Sequence, residues 1–60
     1  MNTETEHLLR FLGGYAEADG YRVRGYYVYQ QGGHWYIGYW WHASLLEALE
    51  WIRDFGGPTY

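Results

Sequence analysis

Three histidines, one serine, seven carboxylates and four arginines are the side chains of this 60-residue sequence with the clearest chemical reach, beside eight tyrosines and four tryptophans. Ser44 is the sole serine, and it stands three residues before Glu47 as Ser44-Leu45-Leu46-Glu47. That spacing is a capping box: the hydroxyl accepts from a free helix N–H while the glutamate reaches back. A nucleophile would need a base and an orienting acid around it, and the sequence places neither there. His34 and His42 fall in a run that reads as one strand, which sets them about 26 Å apart at roughly 3.3 Å per residue, too far to share a metal. His7 with His42 would give two imidazoles and no third ligand. Glu47, Glu50 and Asp54 recur at i, i+3 and i+7, the pattern of a solvated helix face. The glycine pairs 13–14, 32–33 and 56–57 follow helices or fill a turn, whereas a phosphate cradle must precede a helix. Cysteine is absent, so neither a disulfide nor a cysteine zinc site can form. The expectation is a protein that is not an enzyme and takes no cofactor and no metal.

Binding chemistry is better represented. Arg22 and Arg24 alternate with a run of rings that includes Tyr26, Tyr36 and Trp40. Arginine among aromatics on an open sheet suits base stacking, and the same residue types dominate protein–protein hot spots. Lysine is absent and the net charge is −3. A general nucleic-acid binder carries a basic excess that displaces counterions, and a DNA mimic needs about one negative charge per 1.7 Å of duplex. A protein partner is therefore preferred, then a homodimer, then single-stranded nucleic acid.

The elements that must position these groups are legible as patterns. Thr3-Glu4-Thr5-Glu6 opens a first helix as a capping box. Leu8, Phe11, Leu12 and Tyr15 continue it at helical spacing over residues 4–12, and Gly13-Gly14 ends it. Tyr15 to Ala18 reads as a loop in preference to a short edge strand, and Asp19-Gly20 is a turn signal. Tyr21–Gln30 and His34–Trp41 read as two strands of a hairpin joined by Gln31-Gly32-Gly33. Leu45, Ala48, Leu49, Ile52 and Phe55 form the stripe of a second helix over 45–55, stopped by Gly56-Gly57-Pro58. The fold class that follows is α+β in the order α-β-β-α. Both helices pack on one face of a two- or three-stranded antiparallel sheet, and residues 1–60 form a single domain.

Loop length decides which rings share a face. A three-residue loop pairs Tyr29 with Trp35. It collects Tyr21, Val23, Tyr27, Tyr29, Trp35, Ile37, Tyr39 and Trp41 on one side. Arg22, Arg24, Tyr26, Val28, Tyr36 and Trp40 fall on the other. A two-residue loop would mix these sets and put Arg24 beside Trp41; the first register separates charge from bulk better and is preferred. A bulge at Gly25 would flip half of the first strand. Two helices can cover only one side of such a sheet, so the other keeps exposed rings, as interaction surfaces do. The expected partner-binding residues are Arg22, Arg24, Tyr26, Tyr36 and Trp40, with Glu47, Glu50 and Asp54 of the second helix meeting a basic partner.

Hydrophobic residues make up 48% and charged residues 18% of the chain, too apolar for a disordered tail. No apolar stretch approaches the roughly 20 residues of a membrane span. The acidic N-terminus lacks the pattern of a signal peptide. A cytoplasmic, soluble protein is expected. The segment His42-Ala43-Ser44-Leu45-Leu46-Glu47-Ala48-Leu49-Glu50-Trp51-Ile52 resembles the strand-to-helix junction of HicB-type antitoxins, where a capped E-A-L-x-x-I helix follows a sheet; that likeness implies a homodimeric antitoxin or adaptor. In size and composition, being acidic, lysine-free and rich in rings, the chain also resembles the small anti-CRISPR inhibitors encoded by phages and mobile elements. That likeness implies a stoichiometric blocker in the cytoplasm of a host bacterium, bound to a basic protein surface of a defence complex that handles nucleic acid. It carries no residue roles with it.

Overall fold

The computed structural model describes residues 2–56. Two helices, α1 (Thr3–Phe11) and α2 (Leu45–Phe55), bracket five strands. These are β1 (Tyr15–Glu17), β2 (Gly20–Val23), β3 (Tyr26–Gln31), β4 (His34–Ile37) and β5 (Trp40–His42). The strands form one antiparallel meander in the order β1-β2-β3-β4-β5. Gly57 and Pro58, read above as part of the stop of α2, lie outside the described residues. Among the described residues no helix is long and apolar enough to cross a membrane.

The helix ends follow from local chemistry. α1 is capped one residue earlier than its capping-box pattern predicts. Asn2 takes the extended cap conformation, and the Thr5 backbone N–H donates to its Oδ1 at 2.8 Å. Asparagine is as strong a cap as any residue, and Thr5, whose backbone N–H serves that cap, is itself buried. At the other end Gly13 takes φ +75°. The Gly13 N–H donates to the Arg10 carbonyl and the Gly14 N–H to the Leu9 carbonyl, the paired bonds of a Schellman cap. Ser44 caps α2 as its spacing predicts, its Oγ accepting from the Glu47 N–H at 3.1 Å.

The sheet has more strands than expected, because each long run of strand formers folds back on itself. Arg24 and Gly25 both hold positive φ, 49° and 87°, the requirement of a two-residue type I′ turn. The run from Tyr21 to Gln30 therefore becomes two strands in which Val23 pairs with Tyr26. Gly38, at φ +63°, is alone in its turn in holding a positive φ, the type II′ pattern, and it reverses the second run and pairs Ile37 with Trp40. Tyr15–Glu17 is a strand after all, paired with β2 across a turn at Ala18-Asp19. The central loop holds two residues, Gly32 and Gly33 at φ +59° and +85°, so Tyr29 pairs with Tyr36 and Gln30 with Trp35. The three-residue register is thereby corrected: two glycines supply both left-handed positions of the tighter turn, whose twist matches that of the strands it joins.

Val23, Val28 and Ile37 project from one side of the sheet and meet Leu9, Leu12, Leu45, Ala48, Leu49 and Ile52 from the helices. α1 and α2 also touch each other. Every buried apolar side chain of the sheet comes from this one side, so the helices form a single layer and leave the opposite side bare. Ala18 sits in the first turn at φ +46°, where a Cβ is disfavoured. Ala18→Gly should raise stability by about 0.5–1 kcal/mol through relief of that strain, read as a higher urea midpoint at unchanged slope.

Candidate aromatic docking face

Side chains of directly paired residues lie on the same side of a sheet, so the observed register assigns every ring. Tyr15, Arg22 and Tyr27 form one cross-strand row on the bare side; Glu17, Gly20, Tyr29, Tyr36 and Trp41 form a second. Gln31 and His34 close it. The rings are stacked upon each other. Tyr27 and Tyr29 lie 5.7 Å apart between centroids with planes 20° apart, and Tyr29 and Tyr36 lie 5.5 Å apart at 15°. His34 meets Trp41 edge-on at 4.8 Å. Tyr29 Oη donates to the Gly38 carbonyl at 3.3 Å, which fixes the middle ring from its tip. Tyr15 and Trp41, at the two ends, are 58% and 59% exposed.

Arg22 brings a cation to this face, and the face neutralises it. Its Nε and Nη2 both donate to Glu17 Oε1, at 3.1 and 2.9 Å. Nη1 donates to the Gly25 carbonyl at 3.3 Å, and the guanidinium lies 5.3 Å over the Tyr27 ring. Arg22 is thus a neutralised, flat extension of the tyrosine row.

The predicted patch is divided by the turns. Arg22 and Tyr36 belong to the bare face. Tyr26 and Trp40 are on the helix side, because the reversals at Arg24-Gly25 and Gly38-Tyr39 exchange the two sides of whatever follows. Tyr26 Oη donates to the Gly56 carbonyl at 2.9 Å, and its ring meets Trp51 edge-on at 5.9 Å. Trp40 packs on Trp51 at 5.4 Å and is still 62% exposed. This second cluster opens on a groove of about 470 Å³ at the end of the sheet that carries Gly25 and Gly38, and Tyr27 and Tyr29 of the bare face line the same groove. Arg24 is in the turn itself, half-buried, and its Nε has no hydrogen-bond partner.

The acids of α2 stand on the helix layer, across the sheet from the tyrosine rows. Glu47 Oε1 lies 3.6 Å from His42 Nδ1. Asp54 is held by Arg53, whose Nε donates to its Oδ1 at 2.9 Å, and this hydrogen bond keeps its carboxyl below the usual aspartate range. The stabilisation from that pair is present above the aspartate range and fades as acid protonates Asp54. Neither Glu47 nor Asp54 can meet a flat partner surface together with Tyr36.

His34 and His42 lie on adjacent strands, not at the ends of one. His34 is exposed on the bare face, while His42 is buried on the helix side with Nε2 unpartnered. Among the described residues no three His, Cys, Asp or Glu side chains gather as a metal site would require. Sequence reasoning missed Tyr15, Tyr27, Tyr29 and Trp41 as members of the face. The signal that finds them is the left-handed pair Arg24-Gly25: counting two turn residues there, and likewise at Ala18-Asp19, Gly32-Gly33 and Gly38-Tyr39, assigns each ring to its side. No protein-family model, curated protein or solved structure matches the chain.

Proposed function

We propose that this chain is a non-enzymatic binding protein that docks its bare sheet face on another protein and blocks the surface it covers. The observation that carries the reading is the stacked row Tyr27–Tyr29–Tyr36, flanked by Trp41 and by an arginine whose charge Glu17 cancels. Tyrosine and tryptophan offer large contact area with few torsions to freeze. Stacking holds them in place before contact, which lowers the ordering entropy lost on binding. Single-stranded nucleic acid fits this face less well, since stacking proteins pair their rings with a net positive groove and the arginine here is already paired. The likeness to anti-CRISPR inhibitors supports a host defence complex as the setting, with steric occlusion as the mechanism.

The test is comparative capture from a bacterial lysate by wild type, Tyr29→Ala, Tyr36→Ala and Trp40→Ala. A partner held by wild type and Trp40→Ala should be lost with either tyrosine variant. Affinity should fall by about 2 kcal/mol or more, as for a hot-spot ring, at an unchanged far-UV helix signal. Equal capture by the tyrosine variants would refute the face, and oligonucleotide binding at low salt would favour nucleic acid instead.

A further inference from the structure

We propose that the bare face is self-complementary and that two copies of this chain pair through it as a four-layer α/β/β/α dimer. The inference rests on that face being the docking surface and names a second copy as its occupant. Charge is the first support. Five of the seven carboxylates and two of the four arginines lie in α1 and α2, so the helix layer carries the whole net charge of −3. The sheet and its turns hold two of each and are neutral. Face-to-face pairing brings the neutral layers together and sends the like-charged helix layers to opposite outer surfaces. A helix-to-helix dimer would oppose charge with charge.

Geometry is the second support. Like-twisted sheets pack face to face about 10 Å apart, with strand directions within about 30°. In that gap the tyrosine row of one copy can interdigitate with the row of the other. Five strands spaced about 4.8 Å apart, each three to six residues long, give a face about 20 Å wide and roughly 10–20 Å long. Two such faces amount to about 400–800 Å² in total, below the roughly 1,200 Å² at which standard specific interfaces begin. The dimer is therefore weak and concentration-dependent, and any other protein that docks on this face must compete with it.

The experiment is sedimentation of the full chain from nanomolar to high micromolar concentration, with tryptophan emission recorded across the same range. Wild type should pass from monomer to dimer. Its emission should shift to the blue as Trp41 loses water, a shift abolished by Trp41→Phe and kept by Trp40→Phe. Tyr36→Ser should weaken the dimer at least tenfold. If that variant does not fold, the emission of the two tryptophan variants decides alone. A monomer at every concentration overturns the dimer, as does a dimer whose emission shift follows Trp40 and not Trp41. A monomer that still loses its heterologous partner with Tyr36→Ala overturns the dimer and leaves the docking face standing. A dimer through Trp41 beside partner capture untouched by Tyr36→Ala supports the dimer and removes the heterologous reading.

Discussion

Leu49→Ala should lower the stability of the fold by about 3–4 kcal/mol, the largest loss expected of any single side-chain truncation in the helix layer. Leu49 is completely enclosed, on the same buried stripe of α2 as the enclosed Ile52 and in the cluster that holds Val23 and Val28. Removing its isobutyl group loses transfer free energy and leaves a cavity, together about 3–4 kcal/mol. A domain of this length has roughly 3–9 kcal/mol of stability in all, so one deletion removes a third or more of it. Phe55→Ala is the matching control: its ring is 70% exposed on the same helix and should contribute about 1 kcal/mol or less. Urea titration followed by far-UV circular dichroism separates the two, and equal midpoints for both variants would mean that the core is misplaced.

Gly20→Ala is expected to be nearly as damaging, for the opposite reason of excess volume. A Cβ at Gly20 would collide with the Val28 carbonyl oxygen and stand 2.9 Å from Tyr29 Cα, both of them backbone atoms of β3. Backbone cannot swing aside as a flexible side chain can, so β2 and β3 must separate, at about 3 kcal/mol. Gly25→Ala meets no atom within 4 Å and strains only its positive φ, worth about 1 kcal/mol. Denaturation midpoints should rank wild type, Gly25→Ala, Gly20→Ala. Gly20 pairs directly with Tyr29, so the same change should also disturb the ring row; a Gly20→Ala protein that folds and docks as well as wild type would contradict the close approach.

Both helices were legible in the sequence because their signals are local. Ser44 and Glu47, the glycines after Leu12 and the spacing of Leu45, Ala48, Leu49 and Ile52 each act within one or two turns of chain. Antiparallel pairing around Gly32-Gly33 was legible too. The strand count was not, since Tyr, Val and Trp on both sides of Arg24-Gly25 and Gly38-Tyr39 favour extended backbone so strongly that a turn with arginine at positive φ is masked. The shortage of covering helix correctly implied a bare ring face. Which rings occupy it depends on parity, and parity is reset at each unrecognised turn. Hence a reading that passes over those turns leaves Arg22 and Tyr36 on the bare face, adds Tyr26 and Trp40 to it, and puts Tyr27, Tyr29 and Trp41 on the opposite side.

The meander also shapes how the chain finds its native state. Every strand joins the next across two residues, so the entropy lost in closing each loop is close to its minimum. Hairpins of this kind zip in microseconds, and topologies built from such local pairings complete folding within about microseconds to milliseconds. Among the described elements the docking of α1 on α2 joins opposite ends of the chain. The search that limits the rate is therefore one for a lid over a sheet already assembled, and the sheet itself needs no distant encounter.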